Sequence, residues 1–370
     1  MKVKLLDLVP QYERIKDEIF EAIGGVLSTQ QFILGSPVET LEGRIADFCR
    51  VEHAVGCASG SDALLLALMA LGVREGDEVI TTPYTFFSTV SSITRLGARP
   101  VFADIDPATF NIDPASIRDS ITARTKAVIV VHLFGQTADM DPILALGGER
   151  GVPVIEDACQ AIGASYKGRS AGSMGSVGCF SFFPSKNLGG YGDGGMITTD
   201  DVRLAQNIRI LRVHGSRERY FHDFVGINSR LDAIQAAVLT VKLGYLEEWN
   251  ELRRERAAYY HELFSEVPEV TVPPVTEGNV PVFNQYVIRI QRRNECKAFC
   301  IENGIGCEIY YPVPLHLQKC FSSLGYREGD FPEAERASRE TLALPIYPEL
   351  EKGQQEYVAE RITGFFQGRL

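Results

Sequence analysis

Up to about residue 245 the chain alternates between two hydrophobic textures. Short apolar runs at 54–57, 78–81, 99–103, 127–131, 154–156, 179–182 and 195–198 predict buried strands. Between most of them the apolar residues fall at helical spacing, over 62–71, 88–96 and 140–150. Strands alternating with helices predict an α/β fold with a mainly parallel sheet covered on both faces. In such sheets ligands bind at the carboxyl ends of the strands. Ahead of this region Ile15, Ile19, Phe20, Ile23 and Val26 predict a helix over 11–26, loosened at Gly24-Gly25, and a second amphipathic helix covers 38–48.

One long helix is predicted from 230 to about 264, with Leu231, Ile234, Ala237, Val238, Val241 and Leu246 on one face. After Pro273-Pro274 the texture changes to a strand at 286–290, a helix at 297–303 and a proline-interrupted loop at 310–317. The expected division is therefore a large domain over 1–245 and a smaller α+β domain over 246–370. No internal repeat or low-complexity segment is visible.

The 370 residues are 45% hydrophobic, more than one ordinary core needs, which agrees with two domains. A net charge of -11 argues against nucleic-acid and membrane-surface partners, so any anionic ligand needs a local site. The segment Met1-Lys-Val-Lys-Leu-Leu-Asp7 has no apolar run of signal-peptide length, and no window reaches membrane-span length, so the expected location is the cytoplasm. The eight cysteines form no CxxC pair, so reduced thiols and no metal site are expected.

The most informative stretch is Ser181-Phe-Phe-Pro-Ser-Lys-Asn-Leu-Gly-Gly-Tyr-Gly-Asp-Gly-Gly195. It sets Lys186 in a cramped turn between apolar runs, where partial desolvation frees an amine to attack a carbonyl. About thirty residues upstream, Val154-Ile-Glu-Asp157 ends a buried strand on a carboxylate. A strand-end carboxylate beneath a pyridine nitrogen and a constrained lysine are the minimal pair for holding pyridoxal phosphate. Ser59, Gly60 and Ser61 open a helix after a strand, a ready anion site, although alone they also read as an ordinary N-cap. Gln160 follows Asp157 closely enough to reach a bound ring, Ser181 offers a hydroxyl to a phosphate, and Phe86 is the aromatic placed to stack on a flat heterocycle.

The match of Gly190-Tyr-Gly192-Asp-Gly-Gly195 to G-x-G-x-x-G is rejected as a dinucleotide fingerprint, because a strand follows it instead of a helix. His132 reads as a core histidine. The polar loop with Arg217, Arg219, Asn228 and Arg230 reads as solvated surface or as an arm crossing to a neighbouring subunit.

These segments together resemble the DegT/DnrJ/StrS family of pyridoxal-phosphate nucleotide-sugar aminotransferases over essentially the whole chain. The similarity lies in Gly76-Asp-Glu-Val-Ile-Thr-Thr-Pro-Tyr-Thr-Phe86, His132-Leu-Phe-Gly-Gln136, Glu156-Asp-Ala-Cys-Gln-Ala161, Ser181-Phe-Phe-Pro-Ser-Lys-Asn-Leu188 and Asn228-Ser-Arg-Leu-Asp-Ala-Ile-Gln-Ala236. Tyr311-Pro-Val-Pro-Leu-His-Leu-Gln318 and Leu344-Pro-Ile-Tyr-Pro348 are also similar to the family. The resemblance implies a type I aminotransferase fold and a homodimer with active sites at the subunit interface. It implies Lys186 as the Schiff-base lysine, Asp157 on the pyridine nitrogen, Gln160 at the ring, and Ser59, Gly60, Ser61 and Ser181 at the phosphate, with Asn228 reaching the partner's phosphate. Family members often carry threonine at the position of Ser61 and alanine at that of Cys159. The dehydratase branch replaces the lysine with histidine, which Lys186 excludes.

The implied reaction takes an amino group from glutamate, releasing 2-oxoglutarate, to a nucleotide-linked keto-sugar, with a 3-oxo-sugar favoured by similarity around Arg219-Tyr220 and Val282-Phe-Asn-Gln-Tyr-Val-Ile288. Arg217, Arg219, Arg230, Tyr311 and His316 are the expected substrate contacts. A non-catalytic regulatory protein on the same fold and a cyclitol aminotransferase are the alternatives.

Overall fold

The computed structural model describes residues 1–368. Seven strands form the central sheet: β1 (His53–Cys57), β2 (Glu78–Thr81), β3 (Arg99–Phe102), β4 (Thr125–Val131), β5 (Val154–Asp157), β6 (Val177–Ser181) and β7 (Gly195–Thr199). Their spatial order is β1-β7-β6-β5-β4-β2-β3. The pairs β2–β3, β2–β4, β4–β5 and β5–β6 are parallel, whereas β7 runs antiparallel to both β6 and β1. The expected α/β sheet is present, and the expected strand ends fall within two residues of the observed ones.

Strand residues alternate between two apolar layers because the side-chain period of a strand is two. Val79, Ile129, Ile155 and Ile197 pack under helices Gly60–Ala70 and Val202–Leu211. Ile80, Val128, Val130 and Val154 pack against helices Pro114–Ser120 and Met140–Arg150 on the opposite face. A strand buried on both faces reads as a continuous apolar run, which is the pattern that marks these segments in the sequence.

Two helices depart from expectation. The first runs unbroken over Val9–Thr29. Gly24 and Gly25 have open space around them and cost about 1 kcal/mol each in a helix, but burial of Ile15, Ile19 and Val26 outweighs that. Conversely, the long helix expected from 230 is two, Ala233–Leu243 and Leu246–Leu263. Gly244 ends the first, donating its N–H to Val241, and Tyr245 (ψ −6°) restarts the chain in a new direction.

The C-terminal part is built on an antiparallel sheet, Val270–Thr271, Tyr286–Ile290 and Thr341–Leu344, covered by helices Leu246–Leu263, Arg293–Glu302 and Lys352–Gln367. We propose the boundary between the two units at 245/246, where the helix restarts, with Val3 and Leu6 packed onto the C-terminal unit. No helix among the described residues is long and apolar enough to cross a membrane.

Ile155 lies in the middle of the sheet, fully buried and adjacent to the strand end that carries Asp157. Ile155→Ala is expected to destabilise the protein by about 2–5 kcal/mol and Ile155→Val by about 0.5–1.5 kcal/mol. Urea unfolding of the two variants beside the wild type checks both values.

Candidate active site

The carboxyl ends of β4, β5 and β6 open into a cavity of about 440 Å3. Ser59, Gly60, Ser61, Phe86, Asp157, Gln160, Ser181, Lys186 and Tyr311 all line it, as do Thr85 and Ser88. One sheet edge thus collects residues spread over more than 250 positions, as expected for an open α/β sheet.

Lys186 follows β6 in a turn closed by two backbone bonds, Lys186 N–H to Phe183 and Gly190 N–H to Phe182, each 2.8 Å. A Cβ on Gly189 would sit 2.3 Å from the Pro184 carbonyl oxygen, so no larger residue permits this turn. Asn187 locks it from behind: its amide nitrogen donates to Asn250 (2.7 Å) and to the Val282 carbonyl (2.9 Å), and its oxygen accepts from Asn284 (2.8 Å). Lys186 retains some solvent contact through the cavity, yet the fold surrounds it. Desolvation by burial lowers the pKa of its amine, against smaller opposing effects from Cys159 and Asp157.

Asp157 ends β5 and is 5% exposed. Its Oδ2 accepts the hydroxyl of Thr89 at 2.8 Å, and its Oδ1 accepts the Cys159 N–H at 3.3 Å. Thr89 in turn lies 3.0 Å from the Thr85 hydroxyl, so a short buried chain leads from the cavity wall to the carboxylate. The neighbouring Glu156 points to the other face, where it meets His132 at 2.8 Å and accepts N–H groups of Gly172, Met174 and Gly175. Burial alone would push Glu156 upward, but His132 and these amides outweigh it and hold the carboxyl below its usual range. His132 is therefore a core residue bracing β4 against β5, as its sequence context indicates. Gln160 is fixed from both ends: its oxygen accepts the Phe134 N–H (2.7 Å) and its nitrogen donates to the Tyr311 hydroxyl (3.1 Å).

Helix Gly60–Ala70 begins at the wall of this cavity. Ser59 caps it, accepting the Asp62 N–H at 3.1 Å, while the first N–H groups of a helix have no partner within it and favour an anion. Gly60 comes so close to its surroundings that a Cβ there would lie 2.6 Å from the Ser181 Cβ. The Ser61 hydroxyl bonds that of Ser88. Pyridoxal phosphate fits this donor set, because helix-start N–H groups, a carboxylate and an amine of lowered pKa line one cavity.

The remaining predicted residues lie elsewhere. His316 does not line this cavity: the turn Leu315–Leu317 directs it inward, where it is 2% exposed, packs on Phe331 at 4.8 Å and faces Glu335 at 3.2 Å. Arg217 pairs with Asp223 (3.0 Å) and Arg219 covers the Tyr220 ring, both exposed on the hairpin Ser216–Glu218 and Phe221–His222. Asn228 is exposed and Arg230 half-buried, and neither lines the cavity of its own chain. Ser229 between them accepts the Ala58 N–H (3.1 Å), which ties this loop to the anion turn. Sequence reasoning missed Thr85, Thr89, Ser88 and the asparagine lock. The spacing of Thr85 and Thr89, one helical turn apart behind a strand, was the available signal for the first two.

The model of the DegT/DnrJ/EryC1/StrS aminotransferase family matches residues 13–363. The chain belongs to this family. Among its relatives, a UDP-N-acetyl-3-dehydro-α-D-glucosamine 3-aminotransferase of Acidithiobacillus ferrooxidans is 43% identical, over 99% of this chain and 98% of that protein. A protein of Geobacillus stearothermophilus named pleiotropic regulatory protein is 52% identical over 99% of both chains. The crystal structure of S. venezuelae DesV in complex with a ketimine intermediate superposes with a TM-score of 0.96 at 40% identity, covering 98% of both chains. The type I aminotransferase fold implied by the sequence is thus the observed one.

A lowered amine pKa has a direct chemical consequence, since only the neutral amine is nucleophilic. In cofactor-free protein at pH 7, formaldehyde with cyanoborohydride is expected to methylate Lys186 ahead of the exposed lysines Lys2, Lys4 and Lys167. Peptide mass mapping over time checks this. Modification of Lys186 no faster than those three would contradict the desolvated amine.

Proposed function

We propose that this protein transfers the amino group of glutamate to a nucleotide-linked 3-oxo-sugar with pyridoxal phosphate, giving the 3-amino-sugar and 2-oxoglutarate. The observation that carries this reading is the convergence of the Lys186 amine and the Asp157 carboxylate on one cavity that an anion-favouring helix start also lines. Pyridoxal phosphate, when bound, supplies an electrophilic carbonyl carbon and a ring that accepts the electron pair left at the donor's α-carbon.

The chain's own residues do the rest. Ser59, Gly60, Ser61 and Ser181, which line the cavity, would hold the phosphate, and Gln160 and Phe86 would contact the ring. Asp157, oriented by Thr89 and the Cys159 N–H, would hold a proton on the pyridine nitrogen. Lys186 removes the α-proton of glutamate, and in the second half it delivers a proton to the sugar carbon that carried the ketone. Tyr311, with its hydroxyl pushed upward by burial, stays protonated beside Gln160 on the substrate side.

The acceptor assignment rests on the 3-amino chemistry in the name of the Acidithiobacillus relative. Arg230 and the Arg217–Arg219 hairpin supply positive charge for the acceptor's diphosphate or carboxylate, reaching the site of a second copy. Tyr220, Phe221, Phe224 and Val225, at 49–92% exposure, make that hairpin an apolar arm suited to such a homodimer, and Asn228 at its base reaches the partner's phosphate site. The cytoplasm, where glutamate is abundant, is the proposed location. A purely regulatory role has little support in this chain, because nothing it needs would maintain Lys186, Asp157 and Gln160 together.

The test offers glutamate and a panel of UDP- and dTDP-linked 3-oxo- and 4-oxo-sugars and measures 2-oxoglutarate together with the amino-sugar. A 3-oxo-sugar is expected to turn over best. Lys186→Ala is expected to lose at least about 10³-fold, the scale of a missing general acid–base group, and Arg230→Ala to raise the acceptor KM. Preference for a 4-oxo-sugar or a cyclitol ketone would refute the acceptor assignment, and absence of 2-oxoglutarate with every acceptor would refute the activity.

A further inference from the structure

Behind the turn that carries Lys186 lies a second lysine that the reaction does not use. Lys242, on helix Ala233–Leu243, is 2% exposed, and no carboxylate forms a salt bridge with it among the described residues. Its ammonium donates to the carbonyl of Gly189 and lies over two aromatic faces, Tyr191 at 5.4 Å and Trp249 at 5.9 Å from the ring centroids. Two helical turns earlier Gln235 accepts the Tyr191 N–H at 2.8 Å. One helix therefore grips the glycine turn at two successive points, Gly189 and Tyr191. Gly189 is packed against the Pro184 carbonyl, and Gly190 closes the turn onto Phe182, so a shift at Gly189 moves the segment that holds Lys186.

We propose that Lys242 is a positioning residue: its buried ammonium holds the Gly189 carbonyl and so keeps the Lys186 turn in register with Asp157. This rests on the assignment of Lys186 as the reactive amine. An uncompensated buried cation costs stability, and a helix end supplies many cheaper residues, so the burial points to a task beyond packing. The groups facing Lys242 are Tyr191 from the glycine turn with Tyr12 beyond it, Trp249 from the following helix, and Glu349, whose charge is felt at longer range. Burial lowers the amine to about 8, with Glu349 opposing.

The sign of the resulting pH effects separates positioning from packing. Below about pH 8 the ammonium is charged and the grip is intact. Above it the folded protein loses this proton, and the bond to Gly189 weakens from a charge-assisted to a neutral one; the unfolded chain keeps its proton up to the ordinary lysine range, so stability does not fall through this window, and the contribution of Lys242 makes it rise. A decline in turnover through pH 8 without a decline in stability is the mark of a lost positioning charge.

The experiment compares wild type, K242M and K242Q in three measurements. In cofactor-free protein, hydrogen exchange of the peptide spanning 182–191 is expected to be at least tenfold faster in K242M, with K242Q, which still donates to a carbonyl, nearer the wild type. The Tm of K242M at pH 7 is expected to equal or exceed that of the wild type. In the holoenzyme kcat is expected to fall about tenfold or more in K242M with both KM values unchanged, and the decline of wild-type kcat near pH 8 to disappear. Wild-type exchange and wild-type kcat in K242M would overturn the proposal, as would an equal loss in K242M and K242Q accompanied by a lower Tm. An inactive wild type refutes the activity assignment instead, and the exchange measurement still decides the role of Lys242.

Discussion

Keeping one amine out of water is the constraint on which this structure turns. A lysine in solvent is an ammonium and cannot attack a carbonyl, and a lysine buried without support finds another rotamer or drags water in with it. Here the backbone is committed instead of the side chain. The turn after β6 closes on itself through Gly190 and Phe182, is too tight for any residue but glycine at 189, and is locked by Asn187 into a cluster with Asn250, Asn284 and the Val282 carbonyl. Those partners come from the helix Leu246–Leu263 and from the loop ahead of the strand Tyr286–Ile290, so residues beyond 245 hold the turn that carries the reactive lysine.

The same logic of support at a distance runs through the rest of the site. Asp157 is held by Thr89, Gln160 by Phe134 and Tyr311, and the strand carrying Asp157 is braced through Glu156 to His132 and to the loop at Gly172–Gly175. The two adjacent carboxylates of β5 face opposite ways, as strand geometry requires. One serves the cavity, and the other ties down the scaffold. The sheet supplies the stiffness that such a site needs, because residues on packed elements are positioned more precisely than residues on loops.

Much of this was legible in the sequence, and the reasons are physical. Strands buried on both faces announce themselves as apolar runs, so all seven were found, and a strand-end aspartate followed by a lysine among glycines has few structural uses. What could not be read depends on contacts between distant segments. Gly24-Gly25 was expected to loosen the first helix, but tertiary burial of Val26 carries it through. The break at Gly244 was hidden because apolar spacing continues across it from Val238 to Leu246. His316 sits in the segment Tyr311–Gln318 that is similar to the family, yet a single 3-10 turn decides which way the ring faces, and it faces Phe331 and Glu335. Lys242 stood in the middle of the helix expected over 230–264, where a lysine is ordinarily a solvated surface charge, so nothing in its context marked it as buried. Thr89 read as one polar residue among several in a short helix.

The central claim is a covalent one, that the ε-amine of Lys186 is the group that takes up the coenzyme's carbonyl above Asp157. Reduction of the coenzyme-saturated protein with borohydride, followed by proteolysis and mass mapping, tests it most directly. A pyridoxyl phosphate adduct confined to the peptide containing Lys186 is the predicted result. A colourless, unmodified protein, or an adduct found on another lysine, would contradict the account.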